Sequence, residues 1–362
     1  MPRTATHISR RHVLLSLSAL GSVAFCASSV QASADDKTPN DKTADDKTPA
    51  NIQFALERAI DAIAAPFVLA ETHGLYRAEN VNVTTTVAAG SKETIARVAS
   101  GASDMALADL NALIRYRGDS DAATVKAVFV LLNAAPYAIV ARKSRGVISL
   151  GSLEGKVLGV ADRDLAIRLW PALAKRNNIR LAAVKQERIS AAVREPMLSA
   201  GQVDAITGFS YLSAVNLRDR GVPADDLAVF RFAEFGSAAY GLALIVNPKF
   251  AATRPEAVKA FIRAVTAGMQ LTIKDPAKAI TDVMTQMENG SRELELTRLH
   301  TAITDNILTD DVRRDGLGGM DAARFEASLD EIAEDFTFKK RPSAADIFDD
   351  SFLPGSVGRK IN

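Results

Sequence analysis

From Asn51 onward, short apolar runs alternate with stretches of helical period. Residues 51–56 (Asn-Ile-Gln-Phe-Ala-Leu) read as a strand, 64–73 as a helix, 80–87 as a strand, 92–100 as a helix and 104–108 as a third strand. Strands separated by helices of this length build βαβ units and a mainly parallel sheet. The pattern then returns. "VASGASDMA" at 98–106 is echoed by "LSAGQVDAI" at 198–206, with Gly101 matching Gly201 and Asp104 matching Asp204, and "ENVNVTTT" at 79–86 resembles "NNIRLAAV" at 177–184. The order strand, helix, strand, helix, strand therefore occurs twice, over 51–108 and 156–208.

This repeat predicts an α/β chain of two Rossmann-like lobes with a cleft between them, joined by extended crossings at 137–143 and 240–246. The first lobe takes 51–142 and 241–355, and the second takes 143–240. After the second crossing the pattern is helical, and these C-terminal helices read as packing. In "TRPEAVKAFIRAVTAGM", Val258, Phe261, Ile262, Val265 and Met269 share one stripe, and Thr253 and Glu256 stand at capping-box spacing. Asp275 and Pro276 open the next helix as cap and first position. Trp170, followed by Pro171, is assigned to packing.

The first fifty residues are different material. Arg3 and Ser9-Arg10-Arg11 precede an apolar stretch from Val13 to Val30 and small residues around Gln31 to Ala34. That is the order of a secretory signal, and Ser-Arg-Arg-His-Val-Leu-Leu resembles the twin-arginine export signal. Residues 1–34 are expected to be removed near Ala32 or Ala34, leaving a periplasmic protein. In 35–50, Asp-Asp-Lys-Thr-Pro occurs twice with no apolar side chain larger than alanine, which predicts a disordered tether. Cys26 is the sole cysteine and lies inside the signal, so the mature chain has no disulfide, thiol nucleophile or cysteine-ligated metal. The balance of 44 basic against 43 acidic residues gives no reason to expect nucleic acid or a membrane surface as partner.

Four segments together, "APFVLAETHGLYRAENVNV", "AAGSKETIARVASGASDMALAD", "SLEGKVLGV" and "SAGQVDAITGF", resemble the solute-binding proteins of ABC importers in the nitrate, sulfonate, taurine and pyrimidine-precursor group. The likeness covers most of 51–275 in the same order. It implies the type II periplasmic binding-protein fold, two hinge crossings, a small solute enclosed between the lobes, and delivery by a monomer to a permease and ATPase in the inner membrane. It implies no cofactor, metal or catalytic residue.

Open parallel sheets bind ligands beyond the carboxyl ends of their strands. In the first lobe those ends give Glu57, Arg58 and Asp61, then Gly90, Ser91 and Lys92, then Asp109 and Asn111. In the second they give Ala161, Asp162, Arg163 and Asp164, then Thr207, Gly208, Phe209, Ser210 and Tyr211. Gly90-Ser91 is either a plain helix cap or a helix start offering free N–H groups to an anion. Arg58 and Arg163 either clamp an anionic group from opposite lobes or pair with Asp61 and Asp164. Phe209 and Tyr211 either stack on a flat ligand or belong to the core, and Tyr240 either faces the cleft or packs the hinge.

Many relatives that bind a pyrimidine carry a tryptophan just after the first strand, where this chain has Glu57-Arg58-Ala59-Ile60-Asp61. That departure favours a small anionic or zwitterionic solute of the sulfonate or taurine kind, with its cationic end near Glu57, Asp61 or Asp109. The nucleotide-binding signatures Gly-x-Gly-x-x-Gly and Gly-x-x-x-x-Gly-Lys-Ser/Thr are absent from the strand ends, and so is a Gly-x-Ser-x-Gly elbow. A pyrimidine-forming enzyme is the nearest enzymatic resemblance, but the mature chain keeps only His73 and His300, on separate helices. An importer component that binds a pyrimidine or thiamine precursor or an aromatic acid is one further alternative, and a ligand sensor is another. The expected mechanism is hinge closure around the solute.

Overall fold

The computed structural model describes residues 48–119, 124–161 and 164–361. The expected signal, Cys26, most of the expected tether, Asp162 and Arg163 lie outside the described residues. Among the described residues ten strands are formed: β1 Ala50–Leu56, β2 Val81–Val87, β3 Met105–Asp109, β4 Lys126–Val130, β5 Tyr137–Arg142, β6 Val157–Ala161, β7 Lys185–Ile189, β8 Ala205–Phe209, β9 Leu227–Arg231 and β10 Leu242–Val246. They make two five-stranded sheets of matching order, β2-β1-β3-β10-β4 and β7-β6-β8-β5-β9.

Each sheet is mixed, because the chain arriving from the other sheet enters antiparallel to its neighbours. β10 runs against β3 and β4, and β5 runs against β8 and β9. The expected boundary at 142/143 left 137–142 in the first lobe. Its hydrogen bonds instead make it a central strand of the second sheet, so the division falls before Tyr137. Central strands covered on both faces read as unbroken apolar runs, and β3 and β10 are buried along their whole length.

The internal echo has a hydrogen-bond basis. The Asp104 N–H donates to Gln53 O at 2.9 Å and its Oδ2 accepts from Gln53 N at 2.7 Å. Asp204 does the same with Val157, at 3.0 and 2.9 Å. Each aspartate thus ties the start of a central strand to its parallel neighbour. Gly101 and Gly201 share positive φ, 79° and 73°, after their helices, and Asn80 and Asn178 do so at 54° and 56°. The echo fails one step later. β2 starts directly after Asn80, whereas a 3-10 turn at Leu181–Ala183 delays β7 until Lys185.

The two crossings are bonded to each other. Gly241 N donates to Leu132 O at 2.9 Å, Leu132 N to Leu242 O at 3.0 Å and Ala135 N to Ala239 O at 3.0 Å. A Cβ at Gly241 would lie 2.8 Å from Leu132 Cβ, so the close approach requires glycine. The helix Ala322–Ala333 fastens this hinge. The Arg324 guanidinium donates to Asn133 O and Oδ1 at 2.7 Å each, to Ala238 O at 3.0 Å and to Ala239 O at 3.2 Å, while lying 4.0 Å from the centre of the Tyr240 ring.

The helix Pro255–Lys274 buries Val258, Phe261, Ile262, Val265 and Met269 as the stripe predicts. Its cap is Arg254 rather than Thr253, because Thr253 ends a preceding short helix, Pro248–Thr253, and turns its hydroxyl to Lys249 O. Asp275 caps the next helix by accepting from Lys278 N at 3.0 Å. Trp170 is fully buried. Among the described residues no helix is long and apolar enough to cross a membrane.

Candidate ligand-binding cleft

β1, β2 and β3 run parallel and end together at Leu56, Val87 and Asp109, while β6, β7 and β8 end together at Ala161, Ile189 and Phe209. Side chains leaving these two sets of ends meet. Arg58 sits on a bend directly after β1, where no regular backbone ladder fixes it. Its Nη2 donates to Glu57 Oε1 at 2.9 Å and, across the gap, to Tyr211 Oη at 3.0 Å. Its Nη1 is 3.9 Å from Asp61 Oδ2, and its Cζ lies 5.3 Å from the centre of the Phe209 ring. Phe209 in turn stacks on Tyr211 with centroids 5.8 Å apart and leans on Tyr137 at 6.1 Å. Phe209 therefore stacks on the chain's own cation, and Tyr211 accepts a hydrogen bond from it.

A second bridge lies beside the first. Tyr137, at the start of β5, donates its hydroxyl to Asp109 Oδ2 at 2.5 Å. Asn111 adds its Nδ2 to Asp109 Oδ1, to Tyr137 Oη and to Tyr240 O. Burial pushes the Asp109 carboxyl up to about 6. The hydrogen bonds from Tyr137 and Asn111 pull it down, and the charge of Glu57 adds to the rise. The Tyr137 hydroxyl is pushed well above its usual range, first by burial and then by the Asp109 charge.

Gly90 and Ser91 do stand at the cleft, as the start of the helix Ser91–Ser100 with Gly90 at φ 100°. Beside this helix start the Ser91 side chain serves the chain's own carboxylate. The Ser91 hydroxyl donates to the Glu57 carboxylate and accepts from Asp109 N at 3.0 Å, while Gly90 N donates to Glu57 O at 2.7 Å. Of the two readings of Arg58, internal pairing is the one formed here, with Glu57 and Tyr211, while Arg163 lies outside the described residues. Asp61 caps the following turn through Ile63 N at 2.9 Å and is only a distant partner of Arg58.

In the second lobe, Asp164 caps the helix Leu165–Arg176 through Ala166 N, and accepts from Thr207 Oγ1 at 2.6 Å and Arg194 Nη1 at 3.3 Å. Both of its oxygens are engaged. Gly208 is a packing position, since a Cβ there would meet Ser213 Oγ at 2.3 Å. Strand alternation turns Phe209, and not Gly208, toward the cleft. Tyr240 packs the hinge: its ring lies under Arg324 and its hydroxyl accepts from Asp321 N at 2.9 Å. Tyr137 and Arg194 were not singled out from the sequence. Tyr137 had one available signal, its place after Pro136 at the first residue of a crossing.

Beside Glu57, Arg58 and Asp61 the free volume is about 10 Å³, roughly that of one water. Glu57, Asp109, Tyr137 and Tyr211 are all buried. Arg58 bridges the two sets of strand ends with its side chain 29% exposed.

The model of the NMT1/THI5 like family matches residues 62–279, which takes in most strands of both sheets and both crossings. The chain belongs to the NMT1/THI5 like family. A curated relative of this NMT1/THI5 like protein is the 4-amino-5-hydroxymethyl-2-methylpyrimidine phosphate synthase of Schizosaccharomyces pombe, 25% identical over 223 residues. The match takes in 59% of this chain and 63% of that protein, so the chain spans less than two thirds of the relative's length. Among solved structures, the aliphatic sulphonate binding protein SsuA of Escherichia coli superposes with a TM-score of 0.68 at 12% identity, over 85% of this chain and 95% of that one. The alkanesulfonate-binding SsuA of Xanthomonas axonopodis pv. citri bound to MOPS gives 0.61 at 16% identity, over 83% and 98%. The ligand binding component of an ABC-type import system from Staphylococcus aureus gives 0.63 at 12%, over 84% and 97%. These likenesses are of fold: the NMT1/THI5 like chain has the periplasmic binding-protein architecture, as the resemblance of its four segments implies.

Proposed function

We propose that this chain is the extracytoplasmic solute-binding component of an ABC importer. It encloses a small zwitterionic solute of the sulfonate or taurine kind between its two sheets and presents the closed form to a permease and ATPase in the inner membrane. The observation that carries this reading is the convergence of both sets of strand ends on one occluded polar cluster, across a hinge of two bonded crossings. The fold shared with sulphonate-binding and import-system proteins supports it, and so does the export signal expected over 1–34.

The charges of the cleft favour a zwitterion over a plain anion. Glu57, Asp61, Asp109 and Asp164 face Arg58 and Arg194, and Ser91 already serves a carboxylate. A solute that brings its own cation relieves this excess. To move the lobes from mostly open to mostly closed, the solute must favour the closed form by roughly 5 kcal/mol. Two or three charge-assisted hydrogen bonds, at about 1.5–3 kcal/mol each, supply that.

The synthase among the relatives makes an enzyme the second reading. Against it, His73 lies on the surface paired to Asp282 at 2.8 Å and His300 is exposed, so neither reaches the cleft. A thermal-shift screen of the mature chain decides between them. Taurine is expected to raise the midpoint and ethanesulfonate to do so much less. Conversion of a pyrimidine precursor or any other solute into product would overturn the importer reading.

A further inference from the structure

Resting on the reading of the cleft as a solute site, we infer that the solute's cationic end is a planar guanidinium-type group, and that Arg58 holds the position this group takes. Three features of the position match a guanidinium rather than an ammonium. Its oxygen acceptors, Glu57 Oε1 and Tyr211 Oη, lie 2.9 and 3.0 Å from one terminal nitrogen, and Asp61 Oδ2 lies near the other. The Phe209 ring backs the central carbon at 5.3 Å, a face contact suited to a flat delocalised cation. The acceptors are fixed independently of Arg58. Glu57 is held by Ser91, and Tyr211 is buried on the helix Ser210–Asp219 and stacked on Phe209.

Arg58 is more exposed than the acceptors that hold it. It stands on a bend, and its side chain is 29% exposed. The free volume on the first-lobe side of it is about 10 Å³, and a solute cation would compete with Arg58 for the same acceptors. Two buried polar atoms on residues just past the ends of β3 and β8 are unpartnered among the described residues. One is Asn111 Oδ1, whose amide nitrogen is committed to Asp109, Tyr137 and Tyr240; the other is Ser210 Oγ, between Phe209 and Tyr211 in the chain. Both offer acceptors to a ligand rich in N–H donors. A solute whose cation replaces that of Arg58 keeps the charge balance of the closed cleft. A solute binding through its anion would have to draw Arg58 away from Glu57 and leave that carboxylate buried and unpaired.

Matched solutes differing only in the cation test this: glycine against guanidinoacetate, and taurine against guanidinoethyl sulfonate, titrated by calorimetry into the wild type and Arg58→Ala. The expected result is that the wild type prefers each guanidino member by about tenfold, and that Arg58→Ala tightens the guanidino members by about a further tenfold while moving the amino members little. Weaker guanidino binding in Arg58→Ala, or equal affinity within each pair, overturns the inference. If Arg58→Ala does not fold unaided, recovery of its thermal transition by methylguanidinium, and not by methylammonium at equal ionic strength, is the expected result, and equal recovery or none overturns it. Wild-type binding of taurine without guanidino preference overturns this inference and leaves the importer reading standing. Failure of every solute to bind overturns both.

Discussion

Replacing Arg324 by alanine should loosen the hinge more than any other single substitution on the C-terminal helices. The guanidinium holds three backbone carbonyls and one side-chain oxygen of the two crossings, touches Asp311 Oδ2 at 3.2 Å, and covers the Tyr240 ring. A hydrogen bond from a charged donor is worth about 1.5–3 kcal/mol and a cation over an aromatic face about 1–2 kcal/mol. The side chain is 20% exposed, so water replaces part of what is lost. The carbonyls left behind at the crossing are the part water serves least well. About 3 kcal/mol is expected, and at roughly 2–4 °C per kcal/mol for a chain of this size the midpoint should fall by roughly 6–12 °C. Lysine keeps the charge and loses the planar fork, so Arg324→Lys should recover less than half of the loss. Differential scanning calorimetry of the three proteins measures this. An Arg324→Ala midpoint within about 2 °C of wild type would refute the idea that this residue bolts the crossings.

Gly268→Ala should destabilise severely, by about 2–4 kcal/mol, because its Cβ would lie 2.2 Å from Pro66 O where two helices pack backbone to backbone; chemical denaturation with a normal midpoint would contradict it. The Asp109 carboxyl, near 6 in the folded protein against an ordinary 3.8, binds its proton more readily folded than unfolded. Its contribution is therefore fully present near pH 4 and is lost as pH rises through about 6, a change on the order of 3 kcal/mol. The stability of wild type relative to Asp109→Asn should fall across that window, and a difference flat from pH 4 to 7 would sink the assignment. Asp104→Ala and Asp204→Ala should cost similar amounts, about 1–2 kcal/mol each in urea melts, since each removes the same strand tie; one neutral and one severe variant would break the equivalence of the two sheets.

The repeated fold was legible because its markers are local. Glycine after a helix, aspartate at a strand start and apolar runs of strand length each act within a few residues, and Gly101, Gly201, Asp104 and Asp204 carried them. The sheet membership of 137–142 was not legible, because it depends on which strands the segment meets and not on its own pattern. At the cleft, the strand-end rule brought out Glu57, Arg58, Asp109, Phe209 and Tyr211 as residues that meet. It could not tell that Glu57 would take the Ser91 hydroxyl and so occupy the helix start, since both halves of that bond are themselves strand-end candidates. Tyr240 went to the hinge because Arg324, some eighty residues later, covers it, and no local pattern announces that contact.

The exchange of strands also sets an order of assembly. β5 to β9 come from one continuous piece of chain, so the second sheet holds all its members once β9 has been made. The first sheet does not: β4 joins it through β10, and β3 keeps an open edge until residues 242–246 exist. During vectorial synthesis the half that begins first is therefore completed last, with an apolar strand edge exposed while the whole second lobe is made. A folding intermediate with the second lobe built and the first unfinished is the natural client of a holding chaperone, and mutations that slow β10 should show themselves as poor yield before they show themselves as poor binding.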